Sequence, residues 1–366
     1  MFKQLIWVGM ILASISTITI PVNLQKTSLD IAGYPQNIYT VTLDMDDTRL
    51  KLSQGFSFDT FYGFETTSEI AIRHDATIAV NGMFYNSFGM PYGIITQDGK
   101  MLSISSTGGP VVYMDNERQV HMAEMQIDGF ISNELTSIQL WGVNVSAPTY
   151  AFVLYDSIYG RTTRVYRPSV NYIIKDNVII DIIKSDVAVS TENSDYVLTH
   201  ITSDTKLYYN IGDTITIDFR YDISTSYNIT EDVETETTPV SPEIDEDIIV
   251  DAFQTGGWLV YDGENVAKDY EPYVGYTTSL QPRTLVGITG NNELVFMVID
   301  GRYSGISAGV TGNQGAELMM EAGCLYAGYL DGGASSTLVI EGQVMNRPSM
   351  EGDERIIAHC VMISFN

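Results

Sequence analysis

Cysteine, histidine and positive charge are what this sequence has least of. Two cysteines, Cys324 and Cys360, and four scattered histidines, His74, His121, His200 and His359, are its whole stock of soft metal ligands. No pair of them stands at metal-ligand spacing, so neither a zinc site nor any other metal or cofactor is expected. Two cysteines on apolar stretches read as buried thiols rather than as a disulfide. Lys and Arg number 19 against 46 Asp and Glu, a net charge of −27. A surface that negative repels polyanions, which excludes nucleic acid as a partner and any direct attraction to anionic membranes. After Lys268 there is no lysine at all, and the last third carries only Arg283, Arg302, Arg347 and Arg355. Beyond the N-terminus no apolar run is long enough to span a membrane, and no repeat of solenoid period is present.

What remains is a folded, strand-rich chain. Hydrophobic residues make up 44% and charged residues 18%, which is globular rather than disordered composition. Lys3 precedes an apolar stretch from Leu5 to about Val22. Residues 1–25 therefore read as a secretory signal or an uncleaved membrane anchor, and the protein as extracytoplasmic. Tyr39–Leu43 alternates with the period of a half-buried strand. Thr66 and Glu69 make a capping box for a short helix through about His74. Residues 111–227 are a strand-rich middle, and 230–247 form an acidic, Pro/Thr-rich loop. Further on, Thr284–Ile288 and Leu294–Ile299 flank Gly290-Asn291-Asn292 as a hairpin. A helix is expected from near Asn313 to Gly323, followed by strands at Leu325–Leu330, Thr337–Ile340 and Ile356–Phe365. The fold class that results is a β-rich α+β unit over 38–366: a mixed sheet, a few short helices and a strand-rich insertion.

Three apolar strands end in the same way, at Asn81-Gly82, at Asp300-Gly301-Arg302 and at Asp331-Gly332-Gly333. Glycine at such a place lets the chain turn sharply and lets a ligand come close. A single instance is an ordinary turn dipeptide. Three instances, one carrying an arginine and one a Gly-Gly-Ala-Ser-Ser loop, point to Asn81, Asp300 and Asp331 meeting at one sheet edge. Arginine's planar fork binds phosphate or carboxylate in two places at once, so Arg283, Arg302 and Arg347 beside these acids suggest an anionic substrate group. Arg355 follows Glu351-Gly352-Asp353-Glu354 and reads as paired with those acids.

Gln281-Pro282-Arg283-Thr284, Val298-Ile299-Asp300-Gly301-Arg302 and Leu330-Asp331-Gly332-Gly333-Ala334-Ser335-Ser336 together resemble the phosphodiester glycosidase family. Ala79-Val80-Asn81-Gly82-Met83-Phe84-Tyr85, Gln97-Asp98-Gly99-Lys100, Gly256-Gly257-Trp258-Leu259-Val260, Ala316-Glu317-Leu318 and Asn346-Arg347-Pro348 fit its other stretches, so the likeness runs from about Ile38 to Phe365. Tyr85 and Ala334 are mild departures from the family's phenylalanine and glycine. The family includes an enzyme that removes N-acetylglucosamine from a sugar–phosphate–sugar diester.

The resemblance implies hydrolysis between a sugar's anomeric carbon and a phosphodiester oxygen, giving free sugar and a phosphomonoester. Such a reaction passes through an oxocarbenium-like state served by carboxylates. Asp300, Glu317 and Asp331 form the acid, base and nucleophile pool. Arg283, Arg302 and Arg347 meet the phosphate, and Asn81, Gly332, Gly333, Ser335 and Ser336 hold sugar hydroxyls or phosphate oxygens. Glu317 has a plainer role open to it, since a carboxylate near a helix start is favoured by the dipole alone. The expected partner is a sugar phosphodiester or phosphate-containing glycan. Two competing readings are a non-catalytic glycan-binding or wall-assembly protein on the same scaffold, and a metal-dependent phosphodiesterase cutting P–O.

Overall fold

The computed structural model describes residues 23–105, 108–224 and 249–365. The apolar N-terminal run to residue 22 and the acidic stretch 230–247 lie outside the described residues. Strand accounts for 49% of the structure and helix for 8%, so the chain is β-rich as expected. No helix among the described residues is long and apolar enough to cross a membrane.

The strand Glu293–Ile299 shows how sequence becomes architecture. Its residues run ELVFMVI, and the two faces go to different cores. Leu294, Phe296 and Val298 enter one hydrophobic cluster, and Val295, Met297 and Ile299 enter another. A strand covered on both faces has no reason to alternate polar with apolar, so it reads as a continuous apolar run. The first cluster is shared with a second sheet, through Leu52, Val80, Leu338, Val361 and Ile363. The second cluster is closed by helix α2 (Gly312–Glu321), which inserts Ala316, Leu318 and Met319. Helix α1 (Thr67–Arg73) covers the outer face of the second sheet, where Ile70 and Ala71 meet Ala79, Val339, Cys360 and Met362. The core is thus two stacked sheets with one helix outside each.

Both helices begin on a capping box. Thr66 and Glu69 cap α1, as the sequence indicates, while α2 opens at Gly312, one residue earlier than expected, because Thr311 and Gln314 form a second box. Gly323, at φ 87°, ends α2 in the left-handed conformation that glycine tolerates.

In the first sheet, Arg283–Thr289 lies between Glu293–Ile299 and Cys324–Tyr329. The Asp300 and Asp331 turns therefore leave the same sheet on either side of the strand that starts with Arg283. In the second sheet, Ile78–Asn81 lies between Leu338–Ile340 and His359–Phe365. Asn81 therefore does not share a sheet with the two aspartates. The three strand ends meet because two sheets abut, not because one edge gathers them. The expected mixed character is slight: among the described ladders only Gly142–Val143 with Phe152–Tyr155 is parallel. The middle of the chain builds further sheets, with the long strand Val120–Ser132 pairing Val111–Asp115 at one end and Thr216–Ser224 at the other. Cys324 and Cys360 are buried and unpaired.

Candidate active site

The turn after Ile78–Asn81 is built on a buried histidine. His359 Nε2 donates to Gln54 Oε1 at 2.9 Å, which fixes the tautomer and leaves Nδ1 to accept from the Met83 amide at 3.2 Å. Complete burial holds this imidazole neutral, with its pKa lowered to about 3. A Cβ on Gly82 would lie 2.0 Å from His359 Nδ1, so only glycine lets the turn rest on the ring. A Cβ on Gly301 would likewise meet the Pro282 backbone at 2.6 Å. At both turns the close approach that demands glycine is made by the protein's own chain.

Asn81 is fully buried and its amide is spent on protein groups. Its nitrogen donates to the Asp331 carbonyl, and its oxygen accepts from the Thr284 hydroxyl at 2.8 Å and the Thr337 amide at 3.0 Å. Asp300, 2% exposed, does similar work on the other side of the loop. One of its carboxylate oxygens accepts from the Arg347 amide at 2.8 Å and from Asn346 Nδ2 at 3.2 Å. Asn346 in turn donates to the Ser336 carbonyl. Burial raises the Asp300 pKa, opposed by these two hydrogen bonds and by the charges of Lys26 and Arg347.

Asp331 is the partly exposed acid of the group. Its backbone N–H donates to Gly82 at 2.9 Å, fixing the carboxylate at the junction of the two sheets. Burial raises its pKa, while Ser335, the Arg355 guanidinium and the Gly332 amide pull it back. The Tyr85 phenol shares two of these groups: burial and the Asp331 charge push it up, and Ser335 and Arg355 pull it down. Ser335 Oγ is near enough to influence both, yet it reaches good hydrogen-bond geometry with neither. Ser336 Oγ, Thr337 Oγ1 and Tyr329 OH are also buried without a partner. Unsatisfied buried hydroxyls are uncommon, and three in a row at Ser335–Thr337 mark a place where a polar ligand would complete them.

The arginines give the site its sign. Arg283 is 4% exposed, and its guanidinium reaches only carbonyl oxygens, those of Val310, Thr277 and Ser279, at 3.3–3.4 Å. Arg302 bonds Gln281 Oε1 at 2.9 Å and Ser349 Oγ at 3.4 Å. It holds φ at 66°, a left-handed conformation rare for a residue with a side chain. A Cβ on Gly333 would stand 3.1 Å from its Nη2, so glycine there keeps the guanidinium's face open. Arg347 stacks on the Tyr303 ring at 4.0 Å, and Arg355 lies 5.9 Å from the Tyr85 ring centre. None of the four forms an ion pair with a described carboxylate. Arg283 and Arg302 are close enough that each repels the other's charge, which together with burial lowers the Arg283 pKa.

Two residues depart from what the sequence suggests. Arg355 does not pair with the acids before it, because Glu354 is bound to the amide and hydroxyl of Ser68. The side chain instead joins the Asp331 group. Glu317 stands exposed on α2 and shares no hydrogen bond or ion pair with Asp300 or Asp331. The structure thus brings Asp331, Arg283, Arg302 and the Gly332–Ser336 loop together, with Asn81 and Asp300 bracing them. Beside them lies Glu271, 7% exposed, in a short hairpin whose importance no sequence motif announces.

A family model described as phosphodiester glycosidase matches residues 160–364, more than half of the chain. The SPbeta prophage-derived uncharacterized protein YomE of Bacillus subtilis (strain 168) is 32% identical over 128 residues, 34% of this chain and 19% of that protein. The chain thus spans about a fifth of the length of the curated relative it matches. A hypothetical protein from Synechocystis superposes with a TM-score of 0.74 at 15% identity, over 94% of this chain and 62% of that one. A Burkholderia pseudomallei K96243 protein, provisionally described as exported, gives 0.69 at 16%, over 90% and 74%. At such identities the likeness establishes a shared fold alone.

Proposed function

The chain belongs to the phosphodiester glycosidase family, and from that premise we propose that it hydrolyses the bond between a sugar's anomeric carbon and a phosphodiester oxygen. The products are free sugar and a phosphomonoester. The observation that carries the reading is the pair Arg283 and Arg302, two neighbouring guanidiniums with no described carboxylate to neutralise them. Arg283 is buried and stays charged, and burying a charge without a counter-ion is costly, so Arg283 with the exposed Arg302 beside it is suited to an anion supplied by the substrate.

In this reading the anomeric C–O bond breaks and its electron pair leaves with the phosphate oxygen. The arginines stabilise the charge that grows there, which lessens the need for a strong acid. Asp331, at the open end of the group, is the carboxylate for the oxocarbenium-like centre, as nucleophile or as base toward water. Water supplies the oxygen that ends on the sugar, and its proton leaves through a carboxylate. Asp300 and Asn81 hold the loop, and the Arg355 charge favours the ionised form of Asp331 against burial. The N-terminal run after Lys3 makes the protein an exported one, acting on phosphate-containing glycans outside the cytoplasm.

Product analysis on a panel of sugar-1-phosphodiesters tests this. Free sugar with a phosphomonoester is the expected result. A phosphate left on the sugar would mean P–O cleavage, and binding without turnover would mean a glycan-binding protein; either would overturn the reading.

A further inference from the structure

Glu271 is a buried carboxylate that nothing in the reaction above uses. It accepts no hydrogen bond and forms no ion pair with a described residue. Its oxygens rest on the bare face of Gly257: a Cβ there would fall 2.0 Å from Oε2 and 2.4 Å from Oε1. Burial raises its pKa, and only the Lys268 charge draws it down. Burial and then the Glu271 charge raise the pKa of the Tyr329 phenol, against the pull of Arg283 and of the neighbouring Thr277 hydroxyl. The Glu271 oxygens are not among the fully enclosed polar atoms, so a solute can still reach them.

The hairpin that carries Glu271 also carries an aromatic wall. Tyr273, at its tip, packs on Phe84 with ring centres 5.8 Å apart and on Tyr92 at 5.9 Å. All three rings are partly exposed. Phe84 lies two residues beyond Gly82, whose carbonyl holds Asp331, and its ring packs with Tyr329 around Gly256. Arg283 sits 5.7 Å over the ring of that same Tyr329. The hairpin, the phosphate-facing arginine and the Asp331 turn therefore all meet at Tyr329.

We propose that the 270–276 hairpin, closed against Phe84 and Tyr92, is the subsite for an uncharged pyranose ring, with Glu271 accepting hydrogen bonds from its hydroxyls. A sugar offers what each part lacks. Its hydroxyls are donors for an unpartnered carboxylate, in hydrogen bonds strengthened by the charge. Its C–H face lies flat on aromatic rings, which take apolar surface while leaving a polar edge wet. A negative Glu271 also disfavours acidic sugars at the same place.

The proposal rests on the reading of Arg283 and Arg302 as the phosphate site, but not on turnover, so calorimetry can test it by binding alone. The probes are inorganic phosphate, glucose 1-phosphate and N-acetylglucosamine 1-phosphate, titrated into wild type, Glu271→Gln and Phe84→Leu. Wild type should bind a sugar phosphate at least about tenfold more tightly than phosphate, the gain expected of one or two charge-assisted hydrogen bonds. Each variant should lose most of that gap while its affinity for phosphate stays within about twofold, which also shows that it is folded. A wild type with no preference for the sugar phosphates, or variants that keep the gap or lose both ligands equally, would overturn it. Sugar-selective binding without cleavage of any diester would sink the hydrolytic reading and leave this subsite standing.

Discussion

Asn81 grips Asp331 by its backbone and leaves the carboxylate free. The amide nitrogen of the one donates to the carbonyl oxygen of the other, across the seam between the two sheets. The same side chain holds Thr284 in one sheet and Thr337 at the start of a strand in the other. The position of the acid is thus set by a neutral clamp that spans both layers.

Asn81→Ala should cost stability and rate together. It strands the Thr284 hydroxyl, the Thr337 amide and the Asp331 carbonyl in a dry place, at about 1–3 kcal/mol for each buried group left unpaired. Urea unfolding should give a loss of roughly 3 kcal/mol after partial relaxation, and turnover of a sugar phosphodiester should fall at least about tenfold. Wild-type stability would show that water or a neighbour takes over all three bonds.

Arg302→Lys separates charge from geometry. Lysine keeps the charge but cannot present two parallel N–H donors to a phosphate. The expected outcome is a fall of about tenfold or more in kcat/KM, with a melting temperature within about 2 °C of wild type, since the side chain is exposed and in no ion pair with a described residue. Near-wild-type turnover would remove Arg302 from the phosphate site.

Asp331 should set the acid limb of the pH–rate profile. Its pKa is raised by burial, so activity that needs the carboxylate ionised should appear only above the ordinary aspartate range. Arg355 favours the ionised form, so Arg355→Gln should move the limb to still higher pH. Asp331→Asn should lower the rate by about 10²–10⁴-fold and leave no such limb. The same shift bears on stability with a definite sign. A carboxyl whose folded pKa lies above its unfolded value favours the fold most below the unfolded pKa, and that contribution is lost as pH rises through the folded one. Asp331→Asn should therefore flatten the fall of melting temperature as pH rises above the ordinary aspartate range. A limb unmoved by Arg355→Gln would detach that arginine from the acid.

Much of the frame was legible in the residues. The hairpin at Gly290-Asn291-Asn292, the α1 capping box and the two Asp-Gly turns follow from local chemistry, and local chemistry is what a sequence states directly. The meeting of Asn81 with the aspartates was legible only as a coincidence of strand ends. Its actual form depends on two sheets stacking, which no single strand encodes. The place of Glu317 was less legible: it stands exposed on α2 although its neighbours Ala316 and Leu318 are both buried. Arg355 was hidden by the acids before it, because charge spacing along a chain does not reveal that Glu354 turns away to Ser68. Glu271 was hidden more deeply, since its cause is a missing side chain at Gly257.

The order of strands ties the two ends of the chain together. Tyr34–Asp44 completes its pairing with Glu293–Ile299, and Ile78–Asn81 with Leu338–Ile340 and His359–Phe365. Contacts that distant in sequence form slowly, because a long loop must close before any bond rewards it. The strand that ends at Asn81 has both its neighbours only once residues 338–340 and 359–365 have been made. While the C-terminus is still held back, Ile78–Asn81 lacks its His359–Phe365 neighbour, and the seam that joins Asn81 to Asp331 stays unfinished.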